Sequence, residues 1–385
     1  MTTPIWFDSA ETGAPTLNNV AGSLLEVLRA CLINGFGAKT VTSIDVASGV
    51  ATATAASHGF SATFGKRLLI AGCSEAALNG TKQPLSVATN TFTFDATGVA
   101  DGTYTGTMSA KRAPLGWTEP HTGTNVAMFA RSAPEATTML YRINDSHAAG
   151  STATDARVLM VESATDVDTY TAPSPTEAIL SGGSYIHKGP NNSTAKQWCL
   201  VGDDRALWIF TRFDGTVSNW RLAPFLFGDG RPYSPGDAYF SLLFAAANAG
   251  GGSTSQTRGG YKASLSTEPT LNYSFASRLK SGVGAAARVA MASPGAGSAL
   301  GDTTSGQTST ANIVIHTPVW VVESDGALTI RGEAPGIAEP LARSSFGQME
   351  VVPDVGGSGK SFLSIQHSSQ SSPGTMLLDL TGPWY

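Results

Sequence analysis

Residues 198–213 read WCLVGDDRALWIFTRF. Trp198 and Leu200 alternate with their neighbours up to Asp203-Asp204, and Leu207, Ile209 and Thr211 resume the alternation beyond it. A period of two on both sides of a Gly-Asp-Asp turn signal predicts a β-hairpin. The same short alternating runs recur outward in both directions. On the N-terminal side stand AMFARS (127–132), TMLYRIND (138–145) and ARVLMVES (156–163). On the C-terminal side stand AYFSLLFAAA (238–247), AARVAMAS (286–293), ANIVIHTPVWVVESDGALTIRGE (311–333), FLSIQHSS (362–369) and TMLLDLTGPW (375–384). The reading is a mainly β protein, with a β-sandwich or barrel-type main domain over residues 113–385. No repeat of fixed period is visible, which argues against a solenoid or propeller.

Composition agrees. Charged residues make up 14% of the 385, against about 25% in an ordinary domain. Ser, Thr, Ala and 43 glycines take their place, which suits many turns and polar outer strand faces. A net charge of −5 with no Lys/Arg cluster argues against a nucleic-acid footprint. Cys31, Cys73 and Cys199 are odd in number and widely spaced, so neither a disulfide framework nor a zinc site is indicated. The N-terminus MTTPIWFDSAETGAP lacks the basic start and apolar stretch of a signal peptide. No apolar run reaches the roughly 18 residues of a membrane span. Synthesis and folding in a cytosol, without membrane insertion, are expected.

Residues 1–38 are expected to carry the one helix, over 17–34. Val20, Leu24, Leu28, Cys31 and Leu32 recur at helical spacing, Asn18 or Asn19 is placed to cap it, and Gly35 to end it. Its apolar stripe must be buried on this chain or on a neighbouring subunit. Residues 39–112 read as a compact small β module of about five strands, with turn signals at Ser48-Gly49, Asn79-Gly80 and Asp101-Gly102. Two Gly/Ser-rich stretches, 248–260 and 293–310, are too polar to pack alone. They read as long exposed loops ordered by neighbouring subunits.

Several groups resemble catalytic or binding motifs. VVPDVGGSGKSF (351–362) ends in the Gly359-Lys360-Ser361 of a phosphate-binding loop, with Gly356 and Gly357 before it. Asp354 holds the position that wants the first glycine, and the chain after Ser361 has a strand period where a helix is needed. The stretch is therefore expected to be a loop between two strands. Asp145, His147 and Asp155 are the nearest approach to an acid/base cluster, and a polar loop explains them as well. Asp166/Asp168 and Asp203/Asp204 are too close in sequence to flank a sugar, and the second pair reads as turn chemistry. The histidines 58, 121, 147, 187, 316 and 367 offer no helical metal pair, and no nucleophile elbow or calcium loop occurs. Trp198, Trp208 and Trp220 are expected in the core, with an exposed glycan platform as the alternative in which Trp198 and Trp208 share a hairpin face. No catalytic residue, cofactor site or metal site is expected.

Residues 57–111 contain His58-Gly59-Phe60, Leu69-Ile70-Ala71-Gly72, Leu78-Asn79-Gly80, Thr91-Phe92-Thr93-Phe94 and Thr105-Gly106-Thr107. In that order they resemble a small β module of bacteriophage tail and baseplate proteins. With AGSLLEVLRACLINGFGAKTV (21–41), GWTEPHTGTNVAMFARS (116–132) and LLDLTGPW (377–384), most of the chain resembles a family of tailed-phage and prophage virion proteins. The resemblance implies a non-enzymatic structural component of the virion, in the tail tip or baseplate, made in the host cytoplasm. It implies a symmetric homo-oligomer, a trimer or six-fold ring, contacting other tail proteins through helix 17–34 and the Gly-rich loops. The module at 39–112 would be an inserted, outward-facing appendage. The alternatives are an adhesin gripping a host surface glycan and a head decoration or collar protein. A polysaccharide-degrading enzyme would need a carboxylate pair converging in a groove, and none is evident.

Overall fold

The hairpin forms. Strands Trp198–Gly202 and Ala206–Arg212 pair antiparallel with Leu200 opposite Ile209, and residues 203–205 make the turn. Its burial is not one-sided: every residue from Trp198 to Thr211 except Asp204 and Arg205 is buried. Trp198, Leu200, Leu207 and Ile209 face one core, while Cys199, Val201, Trp208 and Phe210 face another. Both faces of this part of the sheet are covered, so apolar residues occupy both parities.

The computed structural model describes residues 3–146, 155–189, 193–212, 222–245, 274–284, 287–292, 316–323, 329–340, 346–353, 358–369 and 372–385. His147, Trp220, Asp354, Gly356, Gly357 and the stretches 248–260 and 293–310 lie outside them.

Over the described residues the chain is mainly β, built of antiparallel sheets with one α-helix, near the N-terminus. The largest sheet has thirteen strands among the described residues and curls into a half-barrel. It runs from Ile5–Asp8 through Trp198–Gly202, Ala206–Arg212, Leu222–Asp229 and Ser241–Phe244 toward the C-terminal strands Thr329–Pro340, Ser372–Asp379 and Phe362–Ser369. The curl brings Leu222 beside His367 in a parallel bridge between strands far apart in the sheet order. Trp208, Phe210 and Leu226 therefore share one core with Val289, Val321, Ile365 and Leu378 from the opposite side of the curl. The other face meets a five-stranded sheet, Thr118–Gly123, Val126–Ala130, Leu140–Asn144, Ala156–Val161 and Ser184–Ile186. Phe129, Tyr141, Ile143, Val158 and Ile186 pack there against Phe7, Trp198 and Phe225.

The helix closes that second core. It is shorter than expected: Ser23–Arg29 is α-helical and Ala30–Asn34 continues as a π-helical turn up to Gly35. Val20 is 48% exposed and lies before the helix. Asn18 bonds within its own turn, its Oδ1 accepting from Val20 N at 2.9 Å, and Gly22 precedes the helix with φ at 84°. The first turn is capped from a distance, by the Asp145 carboxylate accepting from Leu24 N at 2.8 Å. Leu24, Leu25, Val27, Leu28, Cys31 and Leu32 are all buried in this chain's own core. The helical stripe is thus consumed within the chain. The N-terminal segment also supplies a strand that sequence reasoning missed, Ile5–Asp8, paired with Trp198–Gly202.

Residues 39–112 hold nine strands where about five are expected. They form a four-stranded sheet (Lys39–Val41, Gly106–Arg112, Leu68–Cys73, Gly80–Lys82) and a five-stranded one (Pro84–Val87, Thr91–Asp95, Val50–Thr54, Ser43–Ala47, Gly102–Tyr104). Val41, Ile44, Ile70, Phe92, Phe94 and Met108 belong to the core between them.

Candidate functional site

The five short motifs of the small module are each required by its own geometry. His58 accepts from Phe60 N through Nδ1 at 2.9 Å, so its proton is on Nε2, which donates to Thr91 O at 3.0 Å. The ring stacks on Phe60 and meets the edge of Phe92, which ties the first motif to the fourth. Gly72 and Gly106 face each other where a bulge interrupts the pairing of their strands. A Cβ on Gly72 would stand 2.0 Å from Thr107 O, and one on Gly106 would stand 2.1 Å from Gly72 O. Only two glycines permit that approach. Asn79 completes the strand end: its side chain accepts from Cys73 N and donates to Cys73 O, both at 2.9 Å. Phe92 and Phe94 fill the core, while Thr93 on the other face reaches Ser86 Oγ at 2.7 Å.

The module is fastened to the large sheet by a buried ionic latch. Lys66 Nζ donates to Asp8 Oδ2 at 2.6 Å and lies 3.4 Å from Glu11, and Arg112 Nε lies 2.6 Å from Glu11 Oε2. Arg112 also donates to Trp6 O at 2.6 Å, and Trp6 Nε1 donates to Phe64 O at 2.8 Å. Lys66 sits over the Trp6 ring and Arg112 over Phe7. A polar cleft of about 210 Å³ lies at this junction. Asp8 and Trp6 belong to the first strand of the large sheet, so the module is held by side chains and not only by its two chain connections.

Of the acids singled out in the sequence, Asp145 and Asp155 both reach the adjacent residues His187 and Lys188, each in its own pair, with Asp155 also accepting from Lys188 N at 3.3 Å. Asp145 pairs with buried Lys188, whose Nζ also donates to Val20 O at 3.0 Å. Asp155 binds His187 Nδ1 at 2.8 Å. Burial pushes the Asp145 carboxyl above the usual carboxylate range, against the pull of the Lys188 ammonium and the helix N–H groups. Lys188 and the pairing role of His187 were missed, yet for Lys188 a signal existed. Tyr141, Ile143 and Asp145 share one strand parity, as do Ser184, Ile186 and Lys188, so both charged groups continue inward-facing rows.

Asp203 is a turn residue as expected, its Oδ1 accepting from Arg205 N and Ala206 N at 2.8 Å each. Asp166 likewise binds Asp168 N and Thr169 N within its loop. A polar cluster unseen in the sequence lies close by. Asp229 accepts from Thr137 N at 3.0 Å and pairs with Arg131 and Arg205 beside a cleft of about 380 Å³. The strands on either side of the phosphate-loop look-alike, Glu350–Val352 and Phe362–Ser369, pair antiparallel, residues 354–357 between them lie outside the described residues, and Lys360 Nζ donates to Asp379 Oδ2 at 2.8 Å. Trp198 and Trp208 are both buried and face opposite cores, so they make no shared platform. Cys31, Cys73 and Cys199 are free and buried, and burial raises the Cys31 and Cys199 thiols well above their usual range.

Among the described residues no group of three or more His, Cys, Asp or Glu is placed to hold a metal ion, and no helix is long and apolar enough to cross a membrane. Neither protein-family models nor curated protein sequences give a match to this chain.

Proposed function

We propose that this chain is a non-enzymatic structural protein of a tailed-bacteriophage virion, placed in the tail tip or baseplate as a trimer or six-fold ring. One observation carries the reading. The residues behind the resemblance to phage tail modules are the ones that build the module, from the Gly72–Gly106 approach to the Asn79 bracket on Cys73. A signature made of structural necessities is harder to produce by chance composition than one of scattered identities. In this reading residues 39–112 are an inserted appendage on a sandwich or barrel body, and the latch at Asp8, Glu11, Lys66 and Arg112 holds it in a fixed direction. Asp145, Asp155, Asp166 and Asp203 each serve a cap, a buried pair or a turn, which supports a non-catalytic role. The adhesin alternative no longer has a Trp198–Trp208 platform.

Quantitative mass spectrometry of purified particles tests the proposal by counting this chain against the major capsid protein. A handful of copies in a multiple of three or six is expected. Hundreds of copies would assign it to head decoration or the tail tube. Absence from particles overturns the structural reading.

A further inference from the structure

A groove of about 260 Å³ opens on the half-barrel, lined by strand Thr329–Pro340, the start of Phe362–Ser369 and the turn at Pro383. It is smaller than the roughly 300–1,000 Å³ of pockets for drug-sized ligands, which limits it to a ligand of about one ring. Two ion pairs line it. Arg231 Nη1 lies 3.1 Å from Glu333 Oε2, and Lys360 Nζ lies 2.8 Å from Asp379 Oδ2. In both, the cation is the outer member: the side chains of Arg231 and Lys360 are 56% and 44% exposed, those of Glu333 and Asp379 only 17% and 8%. The groove therefore presents N–H donors backed by carboxylates. Asp379 Oδ1 already accepts from Thr381 N and Gly382 N at 2.8 and 3.0 Å, so Glu333 Oε2 and Asp379 Oδ2, each bonded to its cation, are the oxygens left to take a ligand hydroxyl. Among these four groups the charges cancel. An incoming anion would meet cations already neutralised, whereas a polyol can both accept and donate. Exposed Pro318 and Pro383 add apolar C–H surface to the walls, suited to the apolar face of a sugar ring.

Isolated surface ion pairs usually do little. These are gathered on one concave surface and held in place. Arg231 and Glu333 are direct partners in a strand pairing, and Tyr233 Oη donates to Glu333 Oε1 at 2.8 Å. Below them Gly336 lies flat on the Trp384 indole, where a Cβ would come within 2.0 Å of the ring. A prearranged site spends less of its interaction energy on ordering itself.

We infer that this groove binds a neutral pyranose, as a single residue of a surface glycan. The inference does not depend on the virion assignment, because purified protein tests it alone. The full chain is titrated with the methyl glycosides of glucose, galactose, mannose and N-acetylglucosamine, with glucuronate and inorganic phosphate as charged probes. Saturation-transfer NMR reads binding directly. At least one neutral glycoside is expected to bind saturably, in preference to both charged probes. Arg231→Met and Lys360→Met, at half-exposed positions where folding is readily verified by circular dichroism, should each weaken it by about tenfold, the loss of one charge-assisted hydrogen bond. Binding by none of the four glycosides overturns the inference. So does a preference for glucuronate or phosphate, or affinity unchanged in both variants.

Discussion

Asp203 shows what a buried turn residue does to the pH dependence of the whole fold. Burial pushes its carboxyl from the ordinary 3.8 up to about 7, with Asp204 adding to the rise and the Arg205 and Ala206 N–H groups opposing it. The native state therefore holds a proton that the unfolded chain releases. Stability from this group is fully present below about pH 4 and is lost as pH rises toward 7. A shift of about three units corresponds to at most ~4 kcal/mol across that window. Asp145, raised in the same direction, adds to the slope. Urea unfolding should show wild type more stable at pH 5 than at pH 8 by about 2–4 kcal/mol. Asp203→Asn keeps an oxygen for both turn N–H groups but cannot titrate, so it should flatten much of that difference. A variant with the full wild-type slope would show that another group sets it.

At the scale of elements, the latch decides whether the small module moves with the large sheet. Glu11 is the shared partner of Lys66 and Arg112, so its removal leaves two nearly buried cations with less compensation. Glu11→Ala should destabilise the protein by roughly 3–5 kcal/mol, as expected when one member of a buried ion pair is removed. Hydrogen exchange locates the effect. The N–H groups bridging the junction, Trp6 to Gly65 O and Ala113 to Arg67 O, should lose protection first, while Thr91–Asp95 in the module core keeps its own. Uniform loss across module and sheet would mean that the latch is not a separate fastening. Elements also show what local sequence can encode. Gly35 as a helix stop and the 203–205 turn were legible because their signals are local. The start of the helix was not, because Asn18 imitates a cap while the actual cap, Asp145, lies 121 residues away. Lys66 and Arg112 gave no sign of their role, since the partners that bury them come from outside the module.

Across the whole molecule, the curled sheet was the least legible feature. Its central strands are buried on both faces, which blurs the alternation that marks a strand, and Ile5 pairs with Gly202 with no local signal linking the two. The same burial bears on assembly. Leu24, Leu28, Cys31 and Leu32 are occupied inside the chain, so a symmetric oligomer must use surfaces other than the helical stripe. The stretches 248–260 and 293–310, rich in Gly, Ser and Thr, are the remaining candidates from the sequence. Sedimentation of the purified full chain at micromolar concentration should give three or six times the monomer mass. Replacing 248–260 by a short Gly-Ser linker should lower that mass and leave the far-ultraviolet circular dichroism of the β body in place. Glu26→Arg, on the exposed side of the helix, should leave the assembly unchanged. A monomer from the unaltered chain would remove self-assembly from the proposal. Loss of the oligomer in Glu26→Arg, with the fold retained, would return the seam to the helix through its polar side.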